Sequence, residues 1–548
     1  MTNKEIANAF QELGNLMELH QENPFKIRSY QTAYINLRKL PQALSEVPVG
    51  DLAEIKGVGK AIAGKITELL ENGKMETLEK YRQQTPAGIR ELLQVKGFGP
   101  KKVRMVWKEL GVESVGELLY AVNENRLIEL NGFGAKTQED LRGKLEYFQR
   151  SQNKYHFAAL EAEANEISQA FLKAFPNARF EWAGALRRKS NILDRLEFLT
   201  TEIEGLPNWL QTNGFSIINE SANSLSAKSP KETAVQFYSC QEKEFGSKWF
   251  RYSASKDFMD AFLKKFPNQD FSGLQTEEQI FDKTGLPFIQ PELREQDWAL
   301  DLKATPDLLE ETDIKGVIHS HSTYSDGVNT LREMAESARD AGYEYLGISD
   351  HSKSAFYANG LQPERVLAQM EEIDQLNVEL APFRILKSIE SDILNDGSLD
   401  YETDILERFD FIIASVHSNL RMDEEKATQR LITAVENPYT NILGHPTGRL
   451  LLSREGYPID HKKVIDACAA NGVAIELNAN PYRLDLDWTW IPYAMEKGVW
   501  ISINPDAHST AGIRDIHFGV LSARKGGLNR EACLNATSAE QFLERLRK

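Results

Sequence analysis

The pattern of apolar and polar positions changes twice along the chain. Residues 1–150 read as short amphipathic helices separated by glycine turns. Three of those turns share one pattern: an apolar residue, Gly-x-Gly, then a basic residue and a helical run. They are IKGVGKAIAGKI at 55–66, VKGFGPKKVRMV at 95–106 and LNGFGAKTQEDL at 130–141, an irregularly spaced internal repeat. Residues 151–305 mix the two periods and predict an α+β region. A helix over KYHFAALEAEANEISQAFLKAF leads into RFEWAGALRRKSNILDRLEFLTT, with AVQFYSC and SGLQTEEQIFDKTGLPFIQPELRE further on. After a loop at 301–315, strand-like runs alternate with helical ones: GVIHSH, YLGISDH, RILKSIE, FDFIIASVH, NILGHP, VAIELNA and VWISINPDAH. About seven βα units of this kind predict a parallel sheet closed into a barrel.

A length of 548 residues predicts several domains rather than one. The hydrophobic fraction of 41% is ordinary for a globular chain. No apolar run approaches the ~20 residues that span a bilayer, so no membrane partner is expected. The N-terminal MTNKEIANAFQELGNLMEL is charged and amphipathic, unlike a signal peptide. Cys240, Cys468 and Cys533 fit no paired motif, which excludes a disulfide framework or a cysteine metal site and points to a reducing cytoplasm. The net charge of −17 by itself argues against a nucleic-acid partner. Its distribution changes that picture, because residues 1–150 come to about +2 and the remainder to about −19. Metal ions held by acidic groups would neutralise part of that excess.

The glycine pairs Gly57/Gly59, Gly97/Gly99 and Gly132/Gly134 allow tight turns and bare the N–H groups of a helix start, which suits a phosphate. A Gly-x-Gly can also be a plain helix joint. Three copies, each followed by a lysine (Lys60, Lys101, Lys136), favour contact with a DNA backbone, without base specificity. Histidine placement is more specific still. His319, His321, His351, His417, His445 and His508 all fall at or just past predicted strand ends. Glu390 ends another strand, Asp506 precedes His508 by two residues, and Asp326 follows His321 in a turn. Strand ends of a βα barrel converge on one face, where active sites are built. Mixed imidazole and carboxylate ligands suit zinc, manganese or iron better than calcium. His319/His321 and Asp506/His508 are i, i+2 pairs, which on extended backbone point the same way. Nine ligands suit two or three ions, the arrangement for hydrolysing a phosphate ester. Arg449 and Arg483 lie just beyond strand ends, as phosphate ligands or as surface ion pairs. His20, His156, His461 and His517 match no ligand position and read as structural or exposed.

The motifs HSHSTYSDG, SDH, IESDILNDGSLD, SVHSN, GHPTGRLL, ELNANPYRLDL and NPDAHS resemble the PHP (polymerase and histidinol phosphatase) family. More narrowly, they resemble the PHP domain fused to bacterial family X DNA polymerases. The likeness covers nearly the whole chain and its domain order. It implies a multidomain fold: a helix-hairpin-helix, lyase-like domain at 1–90, a further fingers-like helix-hairpin-helix region at 91–150, a nucleotidyltransferase-like α+β palm and thumb at 151–305, and a distorted (β/α)7 PHP barrel at 312–548. The family's nine-ligand pattern maps onto His319, His321, Asp326, His351, Glu390, His417, His445, Asp506 and His508 without a gap. His319, His321, His351 and Asp506 are the expected catalytic set. The implied cofactors are two or three divalent ions, Mn²⁺ or Zn²⁺ first and Fe²⁺ or Mg²⁺ next. The implied activities are a manganese-stimulated 3′–5′ exonuclease, an abasic-site endonuclease and a 3′-phosphatase. In many family X members the first domain carries a Schiff-base lysine. The matching residue is Lys65, although the family's second basic position is Ala61, and a plain solvated lysine is the alternative.

The palm departs from the family. WAGALRRK matches its glycine-serine-x-arginine-arginine segment with Ala185 in place of the serine, which removes a triphosphate contact. Polymerisation needs three carboxylates around two magnesium ions. Counting from Gly184, those positions hold Arg195, Glu197 and Gln236. A shift of register does not help, because Asp194 and Glu197 would face opposite sides of a strand. AVQFYSC has no acid in any register. The expectation is therefore a monomeric, cytoplasmic DNA-processing nuclease with an inactive palm. An active repair polymerase with a PHP proofreading domain, and a histidinol-phosphatase-like enzyme, are the alternatives.

Overall fold

The computed structural model describes the chain except for residues 39, 41, 96, 129, 131, 151–153 and 548 and the side chains of 147, 149 and 150. Two compact units form, Met1–Phe148 and Gln149–Lys548.

The elements described in the first unit are all helices, beginning with Asn3–Leu19, and Ala135–Arg150 runs across its end. Asn3–Leu19 starts at a Thr2/Glu5 capping box and buries Ile6, Phe10, Leu13 and Met17 along one stripe. The three glycine turns have one geometry. Gly57, Gly97 and Gly132 have φ of 85°, 82° and 89°, a region that strains any residue with a Cβ. The next residue turns inward, so Val58, Phe98 and Phe133 are buried. Their N–H groups close onto the carbonyls of Ile55, Val95 and Leu130 at 2.9, 3.0 and 3.0 Å. The second glycine then opens a helix without a side-chain cap at Gly59 and Gly99. The carbonyl of Gly134 accepts from Thr137 and Gln138 in the same way.

In the second unit, residues Phe180–Trp182, Leu196–Thr200, Ala234–Ser239, Ser224–Lys228 and Ser216–Ser221 form a five-stranded sheet in that order. Only Leu196–Thr200 and Ala234–Ser239 run parallel. Phe171, Phe180, Phe198 and Phe237 stack in series across its core at 4.2, 4.9 and 5.5 Å between centroids. Helices Phe245–Ser253, Lys256–Lys265 and Glu278–Thr284 follow, around buried Phe250, Phe258, Phe262 and Phe281. Glu277 ties this part to the sheet. Arg187 donates to both its oxygens at 2.7 Å, and Arg294 donates to them at 2.6 and 3.1 Å.

The barrel strands are β1 (Gly316–Ser320), β2 (Tyr345–Ile348), β3 (Arg384–Asp392), β4 (Phe411–Ser415), β5 (Ile442–Leu443), β6 (Ala474–Asn478) and β7 (Ile501–Asn504). They form one seven-stranded sheet in chain order, all parallel. Helices cover its outside, so the strands are buried on both faces and read as apolar runs. A bridge between Ser320 and Ala507 brings the two edges together. Buried Lys525 joins barrel to palm, donating to the Arg188 carbonyl at 3.0 Å and to Glu295 at 2.5 Å. His517 bridges Glu161 and Glu311 at 3.1 and 2.8 Å, and His156 meets the Leu451 carbonyl at 3.1 Å. These two histidines, which match no ligand position, brace the joint.

Candidate metal centre

All nine sequence-predicted ligands meet inside the mouth of the barrel. They fall into overlapping groups whose ligand atoms lie within 4.8 Å of one another: His321, Asp326, His351 and His508; His319, His321 and Asp506; His319, Glu390 and His445; His351, Glu390 and His417. Glu390 links two groups. Its Oε1 lies 3.2 Å from His319, 3.0 Å from His417 and 2.9 Å from His445, and its Oε2 lies 2.9 Å from His351. Asp506 Oδ1 lies 3.0 Å from His321 and 3.5 Å from His319. Asp326 stands 3.4 Å from His508 and 3.6 Å from His351.

Among the described residues, His319 Nε2, His321 Nδ1, Asp326 Oδ2 and Glu390 Oε2 are buried without a hydrogen-bond partner. Such atoms cost about 1–3 kcal/mol each when left unsatisfied. Divalent cations fit this donor set, because one ion satisfies several imidazole and carboxylate atoms at once. The electrostatics agree. Burial raises the carboxyls of Glu390 and Asp506, yet the histidines around them hold both well below the usual range. Burial lowers His417, but Glu390 and Asp392 push it up to about 10. His321 is pushed down to about 3 by burial and by its neighbours His508 and His351. The cluster therefore holds anionic carboxylates that attract cations.

One expectation about backbone geometry fails. His319 and Asp506 do not lie on extended backbone; their φ values are 59° and 52°. Strand alternation thus does not aim the i, i+2 pairs. The chain turns at both residues where the barrel edges meet: Ala507 N–H donates to the His319 carbonyl at 3.2 Å, and His321 N–H to the Ala507 carbonyl at 2.8 Å. A positive φ in a residue with a side chain is costly and gathers at functional sites.

A second layer of residues aims the ligands, and Glu476 is its centre. This fully buried carboxylate lies 2.6 Å from His319 Nδ1 and accepts from Asn504 at 2.8 Å, Asn478 at 3.1 Å and the His445 N–H at 3.2 Å. With an ion bound, an acceptor in this position would keep the His319 proton on Nδ1 and leave Nε2 as a ligand. Asp392 is placed in the same way beside His417. Asp350 accepts from Ser322 and Ser325 and so holds the turn that presents Asp326. Sequence reasoning missed these acids, although Glu476 and Asn478 repeat the i, i+2 spacing at a strand end and Asp392 follows Glu390 by two. A Glu476→Gln variant is expected to bind manganese about 10–100-fold more weakly, measured by competition with a chelating indicator.

Of the two arginines, Arg483 lies beside the cluster, with Nε 3.7 Å from Asp506. Arg449 makes the ion pair that was the alternative to a phosphate contact. Its guanidinium donates to the Arg483 and Leu484 carbonyls and to Asp487, so it holds the 483–487 loop. The palm positions also meet. Glu197 and Gln236 are register partners on neighbouring strands. Arg195 pairs with Glu197 at 3.2 Å. Gln236 is buried, donating to the Leu225 and Phe237 carbonyls and accepting from Ser226. Glu197 also accepts from Tyr238 at 3.1 Å and from the Ala185 N–H at 3.3 Å, closing over the Gly184 turn. In the first unit, Lys60, Lys101 and Lys136 are exposed beside their glycines. Lys65 donates to Thr77 Oγ1 at 2.6 Å.

Comparison with known proteins agrees with this geometry. Residues 1–75 match the family described as helix-hairpin-helix domain, 89–143 the SAM-like helix-hairpin-helix tandem, and 318–480 the PHP domain. The DNA polymerase/3′-5′ exonuclease PolX of Bacillus subtilis (strain 168) is 34% identical over 573 aligned positions, covering 100% of both chains. The chain belongs to the bacterial family X DNA polymerases with a fused PHP domain. Two shorter relatives match its PHP part. A probable phosphatase of Thermoanaerobacter sp. (strain X514) is 28% identical over 40% of this chain and 88% of its own. A probable phosphatase of Acetivibrio thermocellus is 32% identical over 35% of this chain and 78% of its own. In this member of the family the PHP barrel is a metal-dependent phosphoesterase domain, with its His, Asp and Glu clusters able to bind metal.

Proposed function

We propose that the PHP barrel removes nucleotides from the 3′ end of DNA and that the palm does not polymerise. The convergence of nine ligands at one barrel mouth carries this reading. His319, His321, Asp326, His351, Glu390, His417, His445, Asp506 and His508 would hold two or three ions, Mn²⁺ or Zn²⁺ first and Fe²⁺ or Mg²⁺ next, given the mixed nitrogen and oxygen ligands. Such ions supply an activated water and Lewis acidity toward the phosphate. The protein's own part is positional: Glu476 and Asp392 fix the imidazoles, and Arg483 sets a cation at the edge of the cluster for a phosphate oxygen.

The three glycine turns support backbone contact with DNA. They share one geometry, each opens a helix start of the kind that suits a phosphate, and Lys60, Lys101 and Lys136 are exposed beside them. We assign 1–90 and 91–150 to DNA holding, 151–305 to a palm and thumb that brace the barrel, and 312–548 to hydrolysis, in a cytoplasmic monomer. Lys65 remains the candidate for a lyase step on abasic sites, with Thr77 holding its amine. Against polymerisation stand the cation at Arg195, the neutral amide at Gln236 and a Glu197 already engaged by Arg195, Tyr238 and Ala185.

The test is a manganese-supplemented assay on an end-labelled primer–template, with and without all four deoxynucleotides. Stepwise shortening without extension is the expected result. Extension would overturn the reading of Arg195, Glu197 and Gln236. The phosphatase relatives favour a second reading, hydrolysis of a small phosphate monoester. Phosphate release from histidinol phosphate with an intact primer would establish it instead.

A further inference from the structure

The loop after His351 carries two aromatic side chains that the metal centre does not use. Residues 352–361 leave the barrel mouth and return, with Ser352 bridging Leu361 and the Leu361 N–H donating to the His351 carbonyl at 2.9 Å. The tip is a single helical turn, Phe356–Ala358. Phe356 is 85% exposed, and the Tyr357 ring lies 6.0 Å from the His351 ring, edge to face. The Tyr357 ring therefore sits at the rim of the cluster, and Phe356 precedes it on the exposed tip of the same turn.

The loop is pinned by the groups that orient the ligands. Ser354 Oγ donates at 2.8 Å to Asp392, the carboxylate that holds His417. The Ser354 N–H donates to Asp400 at 2.7 Å. Asn359 donates at 3.5 Å to the carbonyl of Tyr324, two residues before Asp326. At Gly360 a Cβ would come within 2.0 Å of the Ser352 carbonyl, so the loop closes tightly. An exposed ring on a pinned loop adds nothing to the core, but it is pre-organised to meet a flat partner.

We infer that Phe356 and Tyr357 form a stacking step for the nucleobases at the 3′ end of a DNA strand whose terminal phosphodiester reaches the metal centre. The inference rests on the nuclease reading and adds the side chains that touch the substrate. Every base offers a π-face, so stacking holds any sequence, as trimming through successive nucleotides requires.

The full chain with Mn²⁺ is tested on a labelled single-stranded oligonucleotide with ordinary 3′-terminal bases and on one whose last two residues are tetrahydrofuran abasic analogues. Wild-type kcat/KM is expected to favour the ordinary end by about 10-fold, the scale of one base–aromatic stack. Phe356→Ala, at an exposed position that leaves the fold intact, and the Phe356→Ala/Tyr357→Ala pair should lose most of that preference. The loss should appear in KM rather than kcat, and Phe356→Trp should retain the preference. Equal ratios in wild type and variants, or no preference in wild type, would overturn the stacking step and leave the nuclease reading standing. If wild type cuts neither strand, the nuclease reading itself fails and the inference falls with it.

Discussion

A Glu390→Gln variant is expected to lose manganese-dependent hydrolysis by roughly 10³-fold or more, since metal-held charge stabilisation is worth several kcal/mol. The two oxygens of Glu390 stand 2.9–3.2 Å from four imidazoles that belong to different ligand groups. Glutamine keeps the volume but replaces a bridging anion with a neutral amide whose nitrogen is not a ligand. His319→Ala and Asp506→Ala should act alike, since each belongs to the group that contains His321. DNA affinity should stay close to wild type in all three, because it is assigned to residues 1–150. Initial rates across a manganese titration, with fluorescence anisotropy of a labelled duplex on the same preparations, measure both quantities. A variant that loses DNA binding together with hydrolysis would contradict that division of labour.

The second large effect concerns stability. Glu277→Gln is expected to destabilise the Gln149–Lys548 unit by about 3–5 kcal/mol, the cost of breaking a buried ion pair by removing one partner. Glu277 is 2% exposed, and its two oxygens accept from both Arg187 and Arg294. Without the carboxylate, two guanidinium groups are left together in the interior. The pH dependence has a definite sign. Burial raises the Glu277 carboxyl, but Arg294 and Arg187 hold it at about 2 in the folded chain. An unfolded glutamate titrates near ~4.3. Its contribution is therefore fully present above that value and is lost as pH falls toward 2. Urea unfolding of wild type and variant at a series of pH values tests this. The difference between their midpoints should be largest near neutrality and shrink below about pH 4. A difference that stays constant down to pH 2.5 would show that the carboxylate's charge is not what stabilises the joint.

The same ion network continues from the central sheet region into the barrel. Arg187 and Arg188 belong to the segment that resembles the family's phosphate-binding turn, yet Arg187 is committed to Glu277 and Arg188 lies 3.1 Å from Glu295. Glu295 in turn takes Lys525 from the barrel, and Arg524 takes Glu292 at 3.0 Å. The guanidinium groups of Arg187 and Arg188 are thus both engaged inside the protein. The sheet beside them retains its stacked aromatic core.

Much of this was legible in the residues alone, and for local reasons. A Gly-x-Gly before a basic helix start needs only its own backbone to make the turn, so Gly57, Gly97 and Gly132 all take positive φ as their spacing predicted. The seven strand-like runs became the seven strands of the barrel, because apolar stretches of that length alternating with helices have few other ways to be buried. Once the barrel exists, residues at strand ends must share one face, which is why chain position alone gathered nine ligands. That Glu197 and Gln236 would lie side by side was legible for the same reason, since both fall on strands of one sheet and they are register partners.

Tertiary structure decided what depends on partners far apart in the chain. Which ligands share a group, and that Glu390 links two of them, follows from strand order around the barrel. That Glu476 rather than another acid orients His319 depends on a pair 157 positions apart meeting at 2.6 Å. That Arg449 ties down the 483–487 loop depends on partners 34 and 38 positions away. The positive φ of His319 and Asp506 arises where the two edges of the sheet meet, a closure that no local segment contains. Short-range sterics and periodicity write the elements and their ends into the sequence. The pairing of buried charges and lone pairs is settled only when packing removes water and each group must find its partner in the protein.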